Sequence, residues 1–317
     1  MNPPKEISNV LPFKPSELAS VERALAIRDR DPWETDEVGF LTRELVQVGL
    51  PHDNPGTDKR VWTRRNGNLV LSIQPKFTTD RNGNERCIGY PYGNIPRLIL
   101  IYLVSEARRT GTPEIELDRS LRCFLENRLH TSVTGGANGS ITRFKNQARR
   151  LFTAHIDFTY GDEEETGFTV DEDARIAQRV VFWWNDQAPN QYTLFDNYVV
   201  LSPRFFQQVI NHPVPLDLAA IRELQQSSLA LDLYTWLTHR VSYLKKPQIV
   251  SWKQLMQQTG TSISDAKNFK RMAKKYLRRI EVMWDGLNLE QVRGGLMIKP
   301  SRPHVPKRII ALSAPSK

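Results

Sequence analysis

The 317-residue sequence has few cysteines and no long apolar run. Its two cysteines, Cys87 and Cys123, show no CxxC spacing and have no nearby histidine, so neither a disulfide framework nor a zinc site is expected. No stretch of about 18 apolar residues occurs, so no transmembrane helix is predicted. The polar start, Met1–Val10, lacks the apolar core of a secretory signal. These absences predict a protein of the reducing cytoplasm.

Enzyme signatures are also missing. The sequence has no GxxxxGK[ST] motif, which argues against a P-loop ATPase. No two of its six histidines have a spacing suited to the metal site of a nicking nuclease. Asp171 and Asp173 have the spacing of a metal-binding pair, but they lie in a run of acids that favours a solvated loop. We therefore predict no catalytic residue, no metal and no cofactor, and a protein that is not an enzyme.

Acidic residues are scarce in the last third of the chain. Residues 221–317 contain 18 Lys/Arg and only 6 Asp/Glu, whereas residues 90–220 contain 13 and 16. The formal net charge of +9 is therefore concentrated in one region. A basic surface without any special role would spread this charge, so its concentration favours the binding of a polyanion such as nucleic acid.

One helix signature occurs twice. The segment FKNQARRL at residues 144–151 reappears as FKRMAKKY at residues 269–276. In both copies an apolar stripe alternates with cations at helical spacing, and a shorter helix and a turn of small residues precede it. Strand-like alternation follows each copy. This layout is typical of a winged helix-turn-helix, in which the second helix of the motif lies in the major groove of DNA. Its repetition predicts two such domains.

Each repeat predicts three helices and a wing. In the first repeat, a helix from Asn94 ends at Gly111, and Ser140 is the expected N-cap of the third helix. Its other predicted elements are a strand Pro113–Leu117, helices Ser120–Leu129 and Ile141–Ala154, and wing strands Ile156–Tyr160 and Val180–Trp184. The second repeat predicts helices Ser228–Leu244, Ser251–Thr259 and Asp265–Ile280, a strand Pro247–Val250, and wing strands Glu281–Trp284 and Gly295–Ile298.

The predicted fold class is α+β, with two tandem winged helix-turn-helix domains after a partly disordered N-terminal extension. Residues 1–60, rich in proline and charge, form the flexible extension. Residues 61–220 form the first domain, which begins with a hairpin around Asn66-Gly67. Residues 221–300 form the second domain, the main DNA-binding one. Residues 301–317 form a basic tail.

The third helix of the second repeat contains seven cations in thirteen residues, with no acid between Asp265 and Glu281. A solvated helix face usually mixes charges of both signs, so DNA phosphates are the simplest partner for this one. Near the helix start, four side chains are candidates for contacts with base edges: Lys267, Asn268, Lys270 and Arg271. Five more are candidates for phosphate contacts, the last two from the wing: Lys274, Lys275, Arg278, Arg293 and Lys299.

The third helix of the first repeat has a similar but weaker cationic face. Its candidate DNA-binding residues are Arg143, Lys145, Asn146, Arg149 and Arg150. A protein interface is the alternative, because the domain is net acidic and contains the adjacent pair Trp183-Trp184. Neighbouring residues of a strand point to opposite faces, so one of these two rings should face outward.

Several segments together resemble a known family. They are YPYGNIPRL at residues 90–98, SEARRT at 105–110, Ser120-Leu121 with Phe124-Leu125, Thr134–Gly136, and Gln147-x-x-Arg150-Leu151-Phe152. In this order they resemble the plasmid-encoded RepA replication initiators of bacteria. The likeness extends through about residues 85–300 and does not clearly cover the first 60.

The resemblance implies a bacterial, cytoplasmic, plasmid-associated initiator with two winged-helix domains. In such proteins the C-terminal domain binds directly repeated origin sequences called iterons. The N-terminal winged helix mediates dimerisation and adds DNA contact when the protein binds as a monomer, and the dimers commonly repress the initiator's own gene. The implied partners are double-stranded origin DNA, a second copy in equilibrium with the monomer, the host replicative helicase and the chromosomal initiator.

Other functions remain open at this point. A tandem winged-helix transcriptional repressor is the main alternative, and a nicking nuclease is a distant third. A repressor should bind a palindrome and fail to support plasmid replication, whereas an initiator should bind spaced direct repeats. A nuclease should cleave supercoiled origin DNA in Mg²⁺ or Mn²⁺.

Overall fold

The computed structural model describes residues 15–160, 175–184, 188–194, 196–261 and 263–306. The elements that precede the first repeat are α1 (Pro15–Arg28), β1 (Val38–Thr42), α2 (Arg43–Gln47), β2 (Trp62–Asn66), β3 (Leu69–Gln74), β4 (Phe77–Thr79) and β5 (Glu85–Cys87). β2 and β3 form the predicted hairpin, with Gly67 at φ 60° in its turn. None of the helices described in these ranges is long and apolar enough to cross a membrane.

The first repeat folds as a winged helix-turn-helix. Its elements are α3 (Asn94–Thr110), β6 (Glu114–Leu117), α4 (Leu121–Cys123) continued by a π-helical turn (Phe124–Arg128), α5 (Ser140–Thr153), β7 (His155–Tyr160), β8 (Ala177–Val181) and β9 (Asn197–Leu201). α3 ends as predicted at Gly111, whose φ of 71° is a left-handed conformation that glycine adopts readily. The antiparallel sheet of this unit has the strand order β6-β9-β8.

The second repeat has the same parts in the same order. After a connection made of α6 (Pro203–Asn211), β10 (Pro213–Asp217) and α7 (Leu218–Leu224), its elements are α8 (Ser228–Tyr243), β11 (Gln248–Ser251), α9 (Trp252–Thr259), α10 (Ala266–Met283), β12 (Leu289–Val292) and β13 (Gly295–Ile298). The sheet order β11-β13-β12 matches that of the first unit, with the last wing strand in the centre. The predicted pair of winged helix-turn-helix units is confirmed.

The repeated signature has a packing cause. Phe144 of α5 and Phe269 of α10 are 3 % and 0 % exposed, and Ala148 and Ala273 one turn later are 1 % and 0 % exposed. Residues four apart share one helix face, so each helix buries the same aromatic-and-small pair against the helices that precede it. The cations between these positions are left on the opposite face.

The strands of the first wing differ from the prediction. Ile156–Tyr160 and Val180–Trp184 do not pair with each other, because β7 leaves the unit and pairs antiparallel with β3. There Ile156 and Phe158 are buried, and the wing consists instead of β8 and β9. Apolar alternation predicts that a segment is a strand but does not identify its partner. The acidic segment between β7 and β8, residues 161–174, lies outside the described residues.

The predictions at two helix ends are also wrong. Glu281–Trp284 is not a strand, since α10 continues to Met283 and the second wing begins with β12. Ser140 is the first residue of α5 rather than its N-cap, a position that Gly139 occupies. The Ser140 hydroxyl instead accepts a hydrogen bond from the backbone N–H of Thr134 at 2.9 Å and so closes the preceding turn.

Part of the predicted flexible extension belongs to the core. Residues 1–14 lie outside the described residues, but β1 pairs with β10 from Val38↔Asp217 to Thr42↔Pro213. Leu45 and Val48, which follow β1, are 5 % and 0 % exposed. The expectation of loose packing is therefore wrong for residues 38–50. Pro32 and Pro51 flank this short core segment.

The beginning of the predicted basic tail is packed as well. Val305 is 1 % exposed, and the indole N–H of Trp33 donates to the carbonyl oxygen of Pro306 at 2.8 Å. The Trp284 indole stacks on the ring of His304 with centroids 5.1 Å apart. The predicted basic tail therefore begins with residues packed on the core, while residues 307–317 lie outside the described range.

A buried ion pair joins the two winged-helix units. Arg97 of α3 donates from Nε to Asp232 Oδ1 of α8 and from Nη2 to Asp232 Oδ2, both at 2.7 Å. The Arg97 guanidinium also donates to the carbonyl oxygens of Leu50 at 2.6 Å and Gly93 at 2.7 Å. Its charge and its donors are thus paired inside the protein, as a buried arginine requires.

His52 completes this site from a third segment. Its Nε2 lies 2.8 Å from Asp232 Oδ2, and because a carboxylate only accepts hydrogen bonds, the imidazole carries the proton there. Burial lowers the pKa of His52, so the ring is neutral near pH 7. Although burial opposes ionisation of Asp232, Arg97 and His52 together hold the pKa of that carboxyl well below its usual range. The carboxylate is therefore charged at every ordinary pH.

We predict that Arg97→Met destabilises the protein by about 3–5 kcal/mol, because it leaves the Asp232 carboxylate buried without its cation. The double variant Arg97→Met/Asp232→Leu should recover most of that loss, since it removes both charges. Urea unfolding of the full chain measures both effects. Arg109→Ala, which breaks an exposed pair with Glu106, is the control and should cost roughly 0–1 kcal/mol. An equally mild Arg97→Met would contradict a role for this pair in joining the units.

Candidate nucleic-acid interface

α10 is built to present cations from one face. Its N-cap Asp265 accepts backbone hydrogen bonds from Lys267 and Asn268, both at 3.0 Å, and its negative charge favours the positive end of the helix. The buried stripe contains Phe269 and Leu277. On the other side, the exposed side chains are Lys267, Lys270, Arg271, Lys275 and Arg278, with Asn268 and Lys274 half-buried beside them. The structure thus places these seven predicted residues along one helix.

One cation of the helix, Arg279, is already paired with an acid of the protein. Arg279, half-buried, forms an ion pair with Glu223 of α7, which also accepts a hydrogen bond from Arg23 of α1 at 3.0 Å. The remaining cations of α10 lack an acidic neighbour on their own helix from residue 266 to residue 280. Like charges at these spacings repel, so the face is better satisfied by an external anion than by the protein itself.

Trp252 and Asn268 contact three cations in the first half of α10. The ammonium groups of Lys270 and Lys274 lie 5.9 and 6.0 Å from the ring centroid of Trp252, the first residue of α9. This distance is at the outer limit of a cation–π attraction. Arg271 donates from Nη2 to Asn268 Oδ1 at 2.8 Å. Arg271 and Asn268, both candidates for base contacts, are therefore joined by a hydrogen bond.

The two predicted wing residues differ in their surroundings. Arg293 is exposed in the tight turn between β12 and β13. Lys299 follows β13 and lies 2.7 Å from Glu290 on the neighbouring strand, so its charge already has a partner. A cation in a surface pair offers less to a phosphate, which makes Lys299 a weaker candidate than Arg293.

α5 presents the second predicted cationic face. Arg143, Lys145, Asn146 and Arg149 are exposed on it, while Arg150 is half-buried with its guanidinium 5.3 Å from the ring centroid of Tyr92. All five predicted residues belong to one helix whose other face packs on α3. Gln147, on the packed side, accepts a hydrogen bond from the backbone N–H of Tyr92 at 2.9 Å.

Sequence reasoning missed two features of these faces. Trp252 looks like an ordinary core residue in the sequence, and only the fold brings its ring beside Lys270 and Lys274. The hairpin formed by β4 and β5 lies next to α5, although it is far away in the chain. Asn82-Gly83 in its turn and the nearby Arg81 and Arg86 are sequence signals that could have drawn attention to it.

The adjacent tryptophans point in different directions, as their positions predict. Trp184 stacks on Phe182 with centroids 5.1 Å apart and donates from Nε1 to the carbonyl oxygen of Asp118 at 2.7 Å. Trp183 is 55 % exposed. Over the described residues, no group of three or more His, Cys, Asp or Glu could hold a metal ion, and Asp171 and Asp173 lie outside them.

Comparison with known proteins identifies the family. The sequence profile of plasmid-encoded RepA proteins matches residues 90–254, which is more than half of the chain. The chain belongs to the plasmid-encoded RepA family. The resemblance found in the sequence, to the RepA replication initiators, is thereby confirmed. No curated protein sequence matches the chain.

The fold of this RepA-family chain is similar to that of a solved structure. Domains 2 and 3 of RctB, crystallised as selenomethionine derivatives, superpose with a TM-score of 0.51 at 12 % sequence identity. The superposition covers 82 % of this chain and 98 % of the RctB chain. At this identity the likeness concerns the fold alone, and it supports the arrangement of two consecutive winged helices.

We predict different effects for two exposed cations of α10. Lys275→Ala should weaken binding to all DNA equally and lower the slope of log K against log salt by about 0.9, because a lost phosphate contact releases about one counterion fewer. Arg271→Ala should instead lower the preference for the cognate site by about 1–3 kcal/mol, because a base contact is lost. Titrations of cognate and scrambled duplexes at several salt concentrations measure both quantities.

Asn268→Ala is the companion to Arg271→Ala, since the two side chains share a hydrogen bond. If both contact bases as one unit, the double variant should lose less than the two single losses added together. Equal weakening on cognate and scrambled DNA would make Arg271 a backbone contact, and an unchanged salt slope in Lys275→Ala would remove that lysine from the interface.

Proposed function

We propose that this protein initiates replication of its plasmid by binding directly repeated origin sequences, the iterons. The observation that carries the proposal is the face of α10, where cations are exposed with no acid of the helix between residues 266 and 280. In helix-turn-helix proteins the corresponding helix lies in the major groove of DNA. Membership of the RepA family supports replication as the purpose of this binding.

In this proposal the two winged-helix units have different roles in DNA binding. Residues 221–300 form the main DNA-binding domain, with Asn268 and Arg271 near the start of α10 placed to contact base edges. The later cations of α10 and the wing residue Arg293 hold phosphates. Residues 61–220 form the auxiliary domain, whose α5 adds contacts when the protein binds as a monomer. The concentration of positive charge in the last third of the chain supports this division.

The first domain also mediates dimerisation in this proposal. Its surface exposes Trp183 at 55 %, Tyr192 at 68 % and Leu194 at 93 %. We infer that these side chains belong to the dimer interface, because aromatic residues are enriched at protein–protein interfaces. The dimer represses the protein's own gene, and dissociation makes α5 available for origin DNA.

Binding of host proteins completes the proposal. An initiator without catalytic activity needs the host to unwind and copy its origin, so the replicative helicase and the chromosomal initiator are its expected partners. The family resemblance supports these partners, and it also supports action in the bacterial cytoplasm without a cofactor.

A footprint on the DNA that flanks the protein's own gene tests the proposed function. We expect protection over several direct repeats of equal spacing, and the same DNA should support replication of a small plasmid when the protein is supplied. Protection of a single palindrome without replication would instead identify a transcriptional repressor. Cleavage of the supercoiled DNA in Mg²⁺ or Mn²⁺ would identify a nicking nuclease.

Trp183→Ala tests the proposed dimer. A buried interface tryptophan usually contributes at least about 2 kcal/mol, so the dimer should weaken by roughly 30-fold or more. Sedimentation equilibrium of the full chain measures this change. Tyr243→Ala removes an aromatic ring that is 49 % exposed on α8 of the other unit, and it should leave the dimer unchanged. Equal effects of the two variants, or no dimer in the wild type, would contradict this interface.

A further inference from the structure

The β4–β5 hairpin and α5 together enclose a cleft. Its volume is about 280 Å³, and the polar side chains that line it are Thr78, Arg86, Asn146, Arg149 and Arg150. Thr78 and Arg86 lie opposite each other in the hairpin register, so their side chains share one face of it. Two segments about 60 residues apart in the chain thus contribute donors to one site.

Three guanidinium groups meet at this cleft without an acid. Arg86 and Arg149 are exposed, and no carboxylate among the described residues forms an ion pair with either of them or with Arg150. The neighbouring Glu85 does not neutralise them, because it points to the other face of β5 and pairs with Arg60 at 3.4 Å. Gathering such charges is unfavourable unless an anion joins them.

The backbone around the cleft makes room for Arg150. A Cβ at Gly89 would lie 3.1 Å from the guanidinium carbon of Arg150, and the φ of Gly89 is +96°, which disfavours other residues. The Tyr92 ring supports the same guanidinium at 5.3 Å from its centroid. Arg150 is therefore held at the cleft from the side of the core and has little freedom to turn away.

The chemistry of the cleft fits a phosphodiester. Planar guanidinium groups bind phosphate oxygens in pairs, and the Asn146 amide adds a neutral donor. We propose that this cleft binds a backbone phosphate of double-stranded DNA, so that the β4–β5 hairpin is a second DNA-contacting element of the first unit. The inference rests on the proposed DNA-binding function of α5, because that helix brings the DNA to the cleft.

The hairpin turn supports this role by its rigidity. Asp80 Oδ1 accepts hydrogen bonds from the backbone N–H groups of Asn82 and Asn84, both at 2.8 Å. These bonds, with one from the Asn84 side chain, hold the pKa of Asp80 below its ordinary value. A hairpin ordered by its own turn keeps Arg86 beside α5 before DNA arrives, which reduces the entropy lost on binding.

The test uses the full chain and a duplex of mixed sequence, because phosphate contacts do not depend on sequence. We expect Arg86→Ala to lower the slope of log K against log salt by about 0.9. Arg86→Lys, which keeps the charge, should retain most of the slope. Arg81→Ala is the matched control, since it removes the same charge from the same hairpin outside the cleft, and it should leave the slope unchanged.

An equal fall of the salt slope in Arg81→Ala and Arg86→Ala, or an unchanged slope in Arg86→Ala, would overturn the proposal.

The two proposals fail in different ways. A cleft that binds no phosphate leaves the origin footprint of the wild-type protein intact and changes only the mixed-sequence measurements. A protein that is not an initiator gives no footprint over direct repeats, yet Arg86→Ala can still lower the salt slope on mixed-sequence DNA.

Discussion

The buried pair of Arg97 and Asp232 is the interaction on which the rest of the structure depends. It joins the first helix of one winged unit to the first helix of the other, and it also binds the carbonyl oxygens of the segment between α2 and β2. A charge pair of this kind is stable only if its geometry is fixed and its remaining donors are satisfied. The positions of α3 and α8, and therefore of the cationic helices α5 and α10 packed on them, follow from this constraint.

The two units use one scaffold for different surfaces. Both bury the same aromatic and alanine positions of the third helix, and both have the last wing strand at the centre of the sheet. They differ in what surrounds that helix. α10 is flanked by α1 and α7, whose Glu223 holds one of its arginines, whereas α5 has a cationic hairpin beside it. The charge of each face is thus set partly by neighbours that the repeat does not share.

The sequence predicted the elements of the repeats well, because their apolar periodicity and glycine ends are local signals. The bounds of α3 and α8 agree with the prediction to within a residue or two. What it could not predict was pairing between distant segments. β7 pairs with β3 and β1 pairs with β10, and the residues of one strand do not indicate which strand it pairs with. For the same reason the candidate site was found along α10 and α5, while Trp252 and the β4–β5 hairpin, which reach those helices only in the folded chain, were missed.

The pairing of β1 with β10 also bears on how the chain is made. Val38 is translated well before Asp217, and at about 5–20 residues per second the interval is on the order of ten to thirty seconds. During that time Phe40 and Leu41, buried in the finished protein, have no strand to pair with. β1 therefore leaves the ribosome long before its partner strand, and this part of the fold can close only after β10 has been made.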